Sequence, residues 1–220
     1  MGLFDFLKKK TEPGSEQRTE TPAPPALGWE AIEAEFMRLY PGQTNPAHVA
    51  PLVHRMDDIS ENAAAFDGIS AYDGGAFWHF VSFGLTELHV KQSDSPEWSG
   101  FGYELTFRLA KNDDSPPAWA FEFMEAIGKA VWKDQVFAAG HTIKTGPING
   151  DPETKQNAVL VVRDPAIPEP IDTPHGRVEF LLLVGVPDEF RQQVLQGTVE
   201  ASVVAEQATG SSELVTRIET

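Results

Sequence analysis

An α+β domain built on a mixed β-sheet covered by helices is predicted by three features of the sequence. Residues 101–109 alternate with period 2, placing Phe101, Tyr103, Leu105, Phe107 and Leu109 on one face and Gly102, Glu104, Thr106 and Arg108 on the other. The preceding run, Phe77-Trp78-His79-Phe80-Val81-Ser82-Phe83, is apolar on both faces, as in a strand covered on both sides. Helical patterns lie at both ends and strands fall in clusters, without the strict alternation of a doubly wound sheet.

Each element has its own local signature. Trp29, Ile32, Phe36 and Leu39 recur at helical spacing, and Pro41 stops that helix. Asn45-Pro46 reads as an N-cap with proline at the first helical position, opening a short helix through His48 and Val49. Residues 57–75 read as irregular, ending in the turn signal Asp73-Gly74-Gly75 before the aromatic strand. A short strand is expected at Leu85–Val90, then a polar loop over 91–99 and the alternating strand, whose polar face is expected to meet solvent. Ser115-Pro116-Pro117 precedes a helix with Ala120, Phe123, Met124, Ile127 and Val131 on its buried stripe. Asn157–Arg163 and Arg177–Gly185 read as strands, the second rich in Leu and Val and therefore central. Pro187–Leu195 reads as a helix closed by Gly197. A further helix is expected at 198–207 and an edge strand near Glu213–Ile218.

Composition bounds the function. The 220 residues are 41% hydrophobic and 10% aromatic, which is the make-up of a folded domain. With no cysteine, disulfide and thiolate chemistry are excluded, in keeping with a reducing, cytoplasmic setting. The net charge is −16, and because residues 1–26 hold four basic and four acidic groups, all of it lies on the remainder. Such a surface repels nucleic acid and attracts basic partners; solubility alone also accounts for it. Residues 11–27, rich in Thr, Glu, Pro and Ser, read as a linker, so residues 1–27 are expected to form a disordered tail and residues 28–220 the domain. The start, Met1-Gly2-Leu3-Phe4-Asp5-Phe6-Leu7-Lys8-Lys9-Lys10, is neither a signal peptide nor a myristoylation motif. Four apolar residues and three lysines give at most a weak interfacial anchor, so no stable membrane association is expected.

No constellation carries recognisable chemistry. Gly68-Ile69-Ser70-Ala71-Tyr72 lacks the second glycine of a nucleophile elbow, and Gly100-Phe101-Gly102 lacks the rest of a phosphate loop. His48 and His54 are spaced wrongly for zinc, and neither metal nor cofactor is expected. His79, between Trp78 and Phe80, reads as a buried neutral histidine. Its rival role is a general base oriented by Glu104, which would make the protein a hydrolase-like enzyme. His89 reads as solvated and His175 as a turn residue. Trp98 stands in the polar stretch Ser95-Pro96-Glu97-Trp98-Ser99, either folded back or kept for a partner. The loop with His141, Thr142 and Lys144 is the other candidate contact, since loop residues are the better binders.

Leu39-Tyr40-Pro41, Asn45-Pro46, Phe83-Gly84-Leu85 and Ser99-Gly100-Phe101-Gly102 together resemble the suppressor of fused family. Thr173-Pro174-His175-Gly176 is similar too, and the helix at 117–132 more loosely, through Pro117, Trp119 and Val131. The resemblance runs from about Gly28 to the end and implies a one-domain, prokaryotic-type member with the fold of the family's N-terminal domain. It implies a non-enzymatic protein-binding module. Animal members hold Gli-type transcription factors by a peptide clamped between two domains, and prokaryotic members have been proposed as immunity proteins against secreted toxins. The animal groove-lining tyrosine and aspartate align near Ala130 and His141, so that peptide is not carried over. The expectation is therefore an acidic cytoplasmic binder, an immunity-type inhibitor of a basic toxin domain, with Trp98, His141, Thr142 and Lys144 at the contact.

Overall fold

The computed structural model describes residues 25–51 and 63–220. The chain runs α1 (Leu27–Leu39), β1 (Ala47–Val49), β2 (Gly68–Asp73), β3 (Phe77–Phe83), β4 (Trp98–Ala110), α2 (Ala118–Val131) and β5 (Thr142–Lys144). It continues with β6 (Ala158–Arg163), β7 (Ile171–Thr173), β8 (Gly176–Val186), α3 (Asp188–Leu195) and α4 (Ala201–Thr209). One eight-stranded sheet has the order β1-β2-β3-β4-β8-β6-β5, with β7 beside the first residues of β8. Among the described strands β4 and β8 pair in parallel and the other neighbours antiparallel, so the sheet is mixed and the α+β expectation is met.

Strand alternation sorts the core into two layers. On one face α2 lays Ala120, Phe123, Met124 and Ile127 against Phe80, Leu105, Phe107, Val161, Leu181 and Leu183. On the other, α1 packs Ile32 and Phe36 on Tyr72, Val81, Phe83 and Phe180. The same face continues under α3 and α4, where Val204 and Ala205 meet Leu160, Leu182 and Val184. The buried stripe assigned to the 118–131 helix and the central position of β8 both follow from the sequence as read.

Four assignments differ. Asn45-Pro46 does not open a helix: Ala47–Val49 is an edge strand paired with Ile69–Ala71, and His48 turns inward to bond Ser70 and meet the Trp29 ring. Residues 68–73 are not irregular but form β2, whose small Gly, Ser and Ala side chains hide a strand buried on both faces; residues 57–62 lie outside the described residues. Leu85–Val90 forms no strand, because carboxylates capture the amides around it. Glu104 takes the N–H groups of Gly84 and Thr86, and Glu87 those of Gln92, Ser93 and Gly100. Near the C-terminus only Thr216 joins the sheet, as a single bridge to Leu109.

The third and fourth of the motifs named above are brought together by one contact. Gly100 holds φ +53°, and a Cβ there would lie 2.5 Å from the Leu85 carbonyl oxygen. That oxygen accepts a bond from Phe101 N, so Phe83-Gly84-Leu85 and Ser99-Gly100-Phe101-Gly102 are two sides of one contact.

Candidate functional site

The polar face of β4 is not solvated. Glu104 and Thr106 are fully buried and Arg108 is 3% exposed, contrary to the expectation of an outward face. These side chains form a polar seam on the sheet face that α1, α3 and α4 cover, between their two apolar clusters. At its centre Asp164, just past the end of β6, accepts from His79 Nε2 at 2.8 Å and from Thr106 Oγ1 at 2.7 Å. Asp164 also accepts from the Arg108 guanidinium and from Ala166 N. On the far side of the imidazole, Nδ1 lies 2.7 Å from the Tyr40 hydroxyl at the C-terminus of α1. Arg108 donates further to the Glu213 carbonyl.

The electrostatics fix the protonation pattern. Burial opposes a charge on Asp164, but His79, Arg108 and the Thr106 hydroxyl overcome it and hold the carboxyl well below the carboxylate range. Burial, helped by Arg108, pushes the His79 imidazole down against the pull of Asp164. Neutral His79 then donates Nε2–H to Asp164 and accepts the Tyr40 proton, whose phenol burial raises to about 12. The hydroxyl–imidazole–carboxylate order is that of a relay, yet the arginine on the carboxylate and the raised phenol make it a buried structural tie. His79 is thus the buried histidine expected from its aromatic neighbours.

Glu104 does not orient His79. Its carboxylate takes Ser82 Oγ at 2.5 Å, Thr86 Oγ1 at 2.7 Å and the amides of Gly84 and Thr86. Burial raises it to about 7 against those hydrogen bonds. The His79/Glu104 pair is therefore not formed: the two groups share a face but serve different turns.

The open surface lies elsewhere. Among the described residues β5 ends the sheet, bonded to β6 on one side only. The inward bonds from Thr145 N to Asn157 O and from Val161 N to His141 O set the alternation of the ladder. By that alternation Thr142 and Lys144 aim their backbone N–H and C=O groups outward. Ile143, between them, packs on the α2-side core. His141 and Lys144 are exposed and Thr142 half-buried, and Lys144 is 3.9 Å from Asp188. On the α3–α4 side of this strand two clefts open. One, of about 430 Å³, lies among Ala139, Gly140, Arg163, Val194 and Val199. The other, of about 580 Å³, lies among Lys155, Asn157, Asp188, Phe190 and Arg217.

Trp98 is not brought to this strand. It opens β4 beside Arg177 at the start of β8, whereas β5 reaches β8 through β6 near Val186. Nine residues of β8 separate those levels, about 30 Å at strand rise. Trp98 is half-buried, with the Arg177 guanidinium 5.3 Å above its ring and Glu97 bridging to Arg177 at 3.1 Å. Of the remaining histidines, His89 is exposed and His175 buried in the β7–β8 turn, while His54 lies outside the described residues. Among the described residues no group of three or more His, Cys, Asp or Glu is placed to hold a metal, and no helix is long and apolar enough to cross a membrane.

Sequence reasoning missed Asp164 and Tyr40. An acidic residue between a strand and Pro165 looks like a loop end, and only the spatial meeting with Arg108 distinguishes it.

The family model described as Suppressor of fused protein matches residues 62–217. The human suppressor of fused homolog is 33% identical over 178 residues, covering 74% of this chain and 36% of that protein, and the mouse protein matches equally. The chain thus spans about a third of the length of the curated relatives it matches. Among solved structures, a chain of the Sufu–Fu complex superposes with TM-score 0.77 at 31% identity, covering 89% of this chain and 91% of that one. Drosophila Suppressor of Fused gives TM-score 0.78 at 30% identity over 88% of this chain and 50% of that one.

Proposed function

For a chain that belongs to the suppressor of fused family, we propose a protein-binding, non-enzymatic role in which the open edge of β5 receives a strand of the partner. The carrying observation is that edge: β5 ends the sheet, and among the described residues no strand pairs with the outward backbone groups of Thr142 and Lys144. His141 and Lys144 flank the strand as polar contacts. Trp98 would be reached only by a partner that also wraps the opposite end of the sheet. Support for a protein partner comes from the likeness to a chain crystallised as the Sufu–Fu complex.

The net charge of −16 favours a partner with a basic surface and disfavours nucleic acid. An immunity-type inhibitor of a basic toxin domain, acting in the cytoplasm, is the specific form of this reading. The field would speed association, while the strand contacts set residence time.

The test uses a partner recovered with the full chain from its native cell. Thr142→Pro removes an outward N–H and leaves the inward bonds to β6 intact, a substitution tolerated on an edge. The expected result is dissociation at least tenfold faster with an unchanged melting temperature, and an association rate that falls with salt. Unchanged dissociation would remove β5 from the interface, and a salt-independent association rate would remove the electrostatic part.

A further inference from the structure

The larger of the two clefts, about 580 Å³, gathers hydrogen-bond donors that the fold leaves without an acceptor. It lies where β8 ends, and Lys155, Gln156 and Asn157 line it in succession, joined by Arg217 from the segment after α4. Gln156 is only 4% exposed, and its Oε1 accepts from Glu219 N at 2.9 Å. A backbone N–H bonds the amide oxygen and not its nitrogen, so this contact fixes the side chain's orientation and leaves Nε2 as a donor. Asn157 is fixed in the same way: Oδ1 accepts from Asp188 N at 2.8 Å, which leaves Nδ2. Among the described residues neither nitrogen has an acceptor.

The two cations repeat the pattern. Among the described residues, the lysines and arginines with no carboxylate within 4.0 Å are Lys133, Lys155 and Arg217. In a chain with 33 acidic and 17 basic residues an unanswered cation is the exception, and two of these three line one cleft. The acids beside them are otherwise engaged or too far. Asp188 is held by Arg191 at 2.6 Å and by Gln192 at 3.3 Å, and no ion pair joins the exposed Glu189 or Glu219 to either cation.

We propose that this cleft binds a small monocarboxylic acid with an apolar body. Its carboxylate accepts from the Lys155 ammonium, the Arg217 guanidinium and the two side-chain amides. A carboxylate offers about four lone-pair sites, which this donor set can fill, and the bonds from the two cations are charge-assisted. Phe190, Ala208 and Val215 wall the same cleft and receive the apolar body. The volume lies within the roughly 300–1,000 Å³ of small-molecule sites. A single charge is selected over a phosphate dianion, because Asp188, Glu189 and Glu219 line the cleft too and repel each added negative charge. Small-molecule binding at this end of β8 is a property separate from recognition at the β5 edge.

The probe is N-acetyl-phenylalanine, titrated into the isotope-labelled full chain and followed by amide resonances, with its neutral carboxamide and inorganic phosphate as comparisons. The expected result is saturable shifts at Gln156, Asn157, Phe190 and Arg217, and carboxamide binding weaker by roughly tenfold or more. Lys155→Gln and Arg217→Gln, both at exposed positions, should each weaken binding severalfold and together abolish it, at an unchanged melting temperature. Absence of saturable shifts at these amides overturns the proposal, as does binding that survives the double substitution. A carboxamide that binds as well as the acid overturns the role of the carboxylate. Phosphate that binds as tightly as the probe overturns the apolar body and leaves a plain anion site.

Discussion

Removing the Asp164 carboxylate should be the most costly single change in the polar seam. Asp164→Ala strips the acceptor from three buried side chains at once: the His79 imidazole, the Thr106 hydroxyl and the Arg108 guanidinium. Among the described residues Arg108 would keep the Glu213 carbonyl as its hydrogen-bond partner and the Phe77 ring 5.7 Å away, since its Nε already lacks a partner. Breaking a buried ion pair from one side costs about 3–5 kcal/mol, mostly because the surviving charge stays buried and uncompensated. Orphaned donors add to that, but the losses share one site and do not sum. Against a total stability of about 5–15 kcal/mol, the variant keeps a small margin. Urea unfolding followed by fluorescence of the five tryptophans measures the change. The decisive comparison is Asp164→Ala with Arg108→Met, which removes the buried charge as well. The double variant should be more stable than Asp164→Ala alone. A loss below about 1 kcal/mol for the single variant, or a double variant that is worse by the full sum, would refute the account of Asp164 as the counter-charge of Arg108.

Three further outcomes follow from the same geometry. Phe107→Ala should lose about 3–5 kcal/mol by emptying a site among Phe80, Trp119 and Phe123, and Thr106→Ala about 1–3 kcal/mol by leaving Asp164 short of a donor. Near-zero loss for Thr106→Ala in urea titrations would mean its face is wet. Gly128→Ala, which improves helix propensity by about 1 kcal/mol elsewhere, should destabilise α2, because the new Cβ would lie 2.3 Å from the Phe66 ring and 2.8 Å from Ala65 Cβ; a raised melting temperature would contradict this packing. The depressed His79 gives a pH effect of definite sign. That sign is opposite to the effect of Glu104, whose raised carboxyl favours the fold as it protonates below about 7. Below about pH 6.5 the unfolded chain takes up a proton that the folded imidazole refuses, so His79's own contribution is a loss of stability as pH falls. His79→Gln should abolish that part of the slope between pH 7.5 and 5, read from melting curves, while leaving partner affinity in place; an unchanged slope would place the titration elsewhere.

Legibility in the sequence depended on whether a signal was local. The stripe of α2, the all-apolar Phe77–Phe83 and the Leu/Val run of β8 were readable because each repeats its own period. Periodicity failed where carboxylates replaced the sheet ladder. Glu87 gathers three amides and is held near pKa 2 by them against its burial, and nothing in Leu85–Val90 announces that its hydrogen bonds go to a side chain. It failed again at β4, where polar residues at alternate positions mean solvent in most sheets but here met Asp164, a residue 58 positions away from Thr106. His141, Thr142 and Lys144 read as loop residues in the sequence; they sit at or on a strand, and the edge position that distinguishes them among the described residues is a fact of topology.

That distinction also separates the two kinds of polar group in this molecule. In the seam most donors and acceptors are matched: His79, Thr106, Arg108 and Asp164 exchange hydrogen bonds in the buried interior, with the half-buried Tyr40 at one end. A group so committed must break a bond before it can serve a ligand, and in a low-dielectric site that costs more than a surface contact returns. At β5 the reverse holds. The amide and carbonyl groups of Thr142 and Lys144 point away from β6, so a partner strand could pair with them with little reorganisation of the fold. The seam therefore locks α1, β3, β4 and the segment after β6 into one body, and the rigidity of that body is what holds the edge strand in register for recognition. Loosening the seam should weaken binding only as far as it loosens the fold, whereas Thr142→Pro should weaken binding in a fold that remains intact. Comparable loss of affinity in His79→Gln and Thr142→Pro, at equal folded fractions, would show that the seam takes part in recognition directly and that this division of labour is wrong.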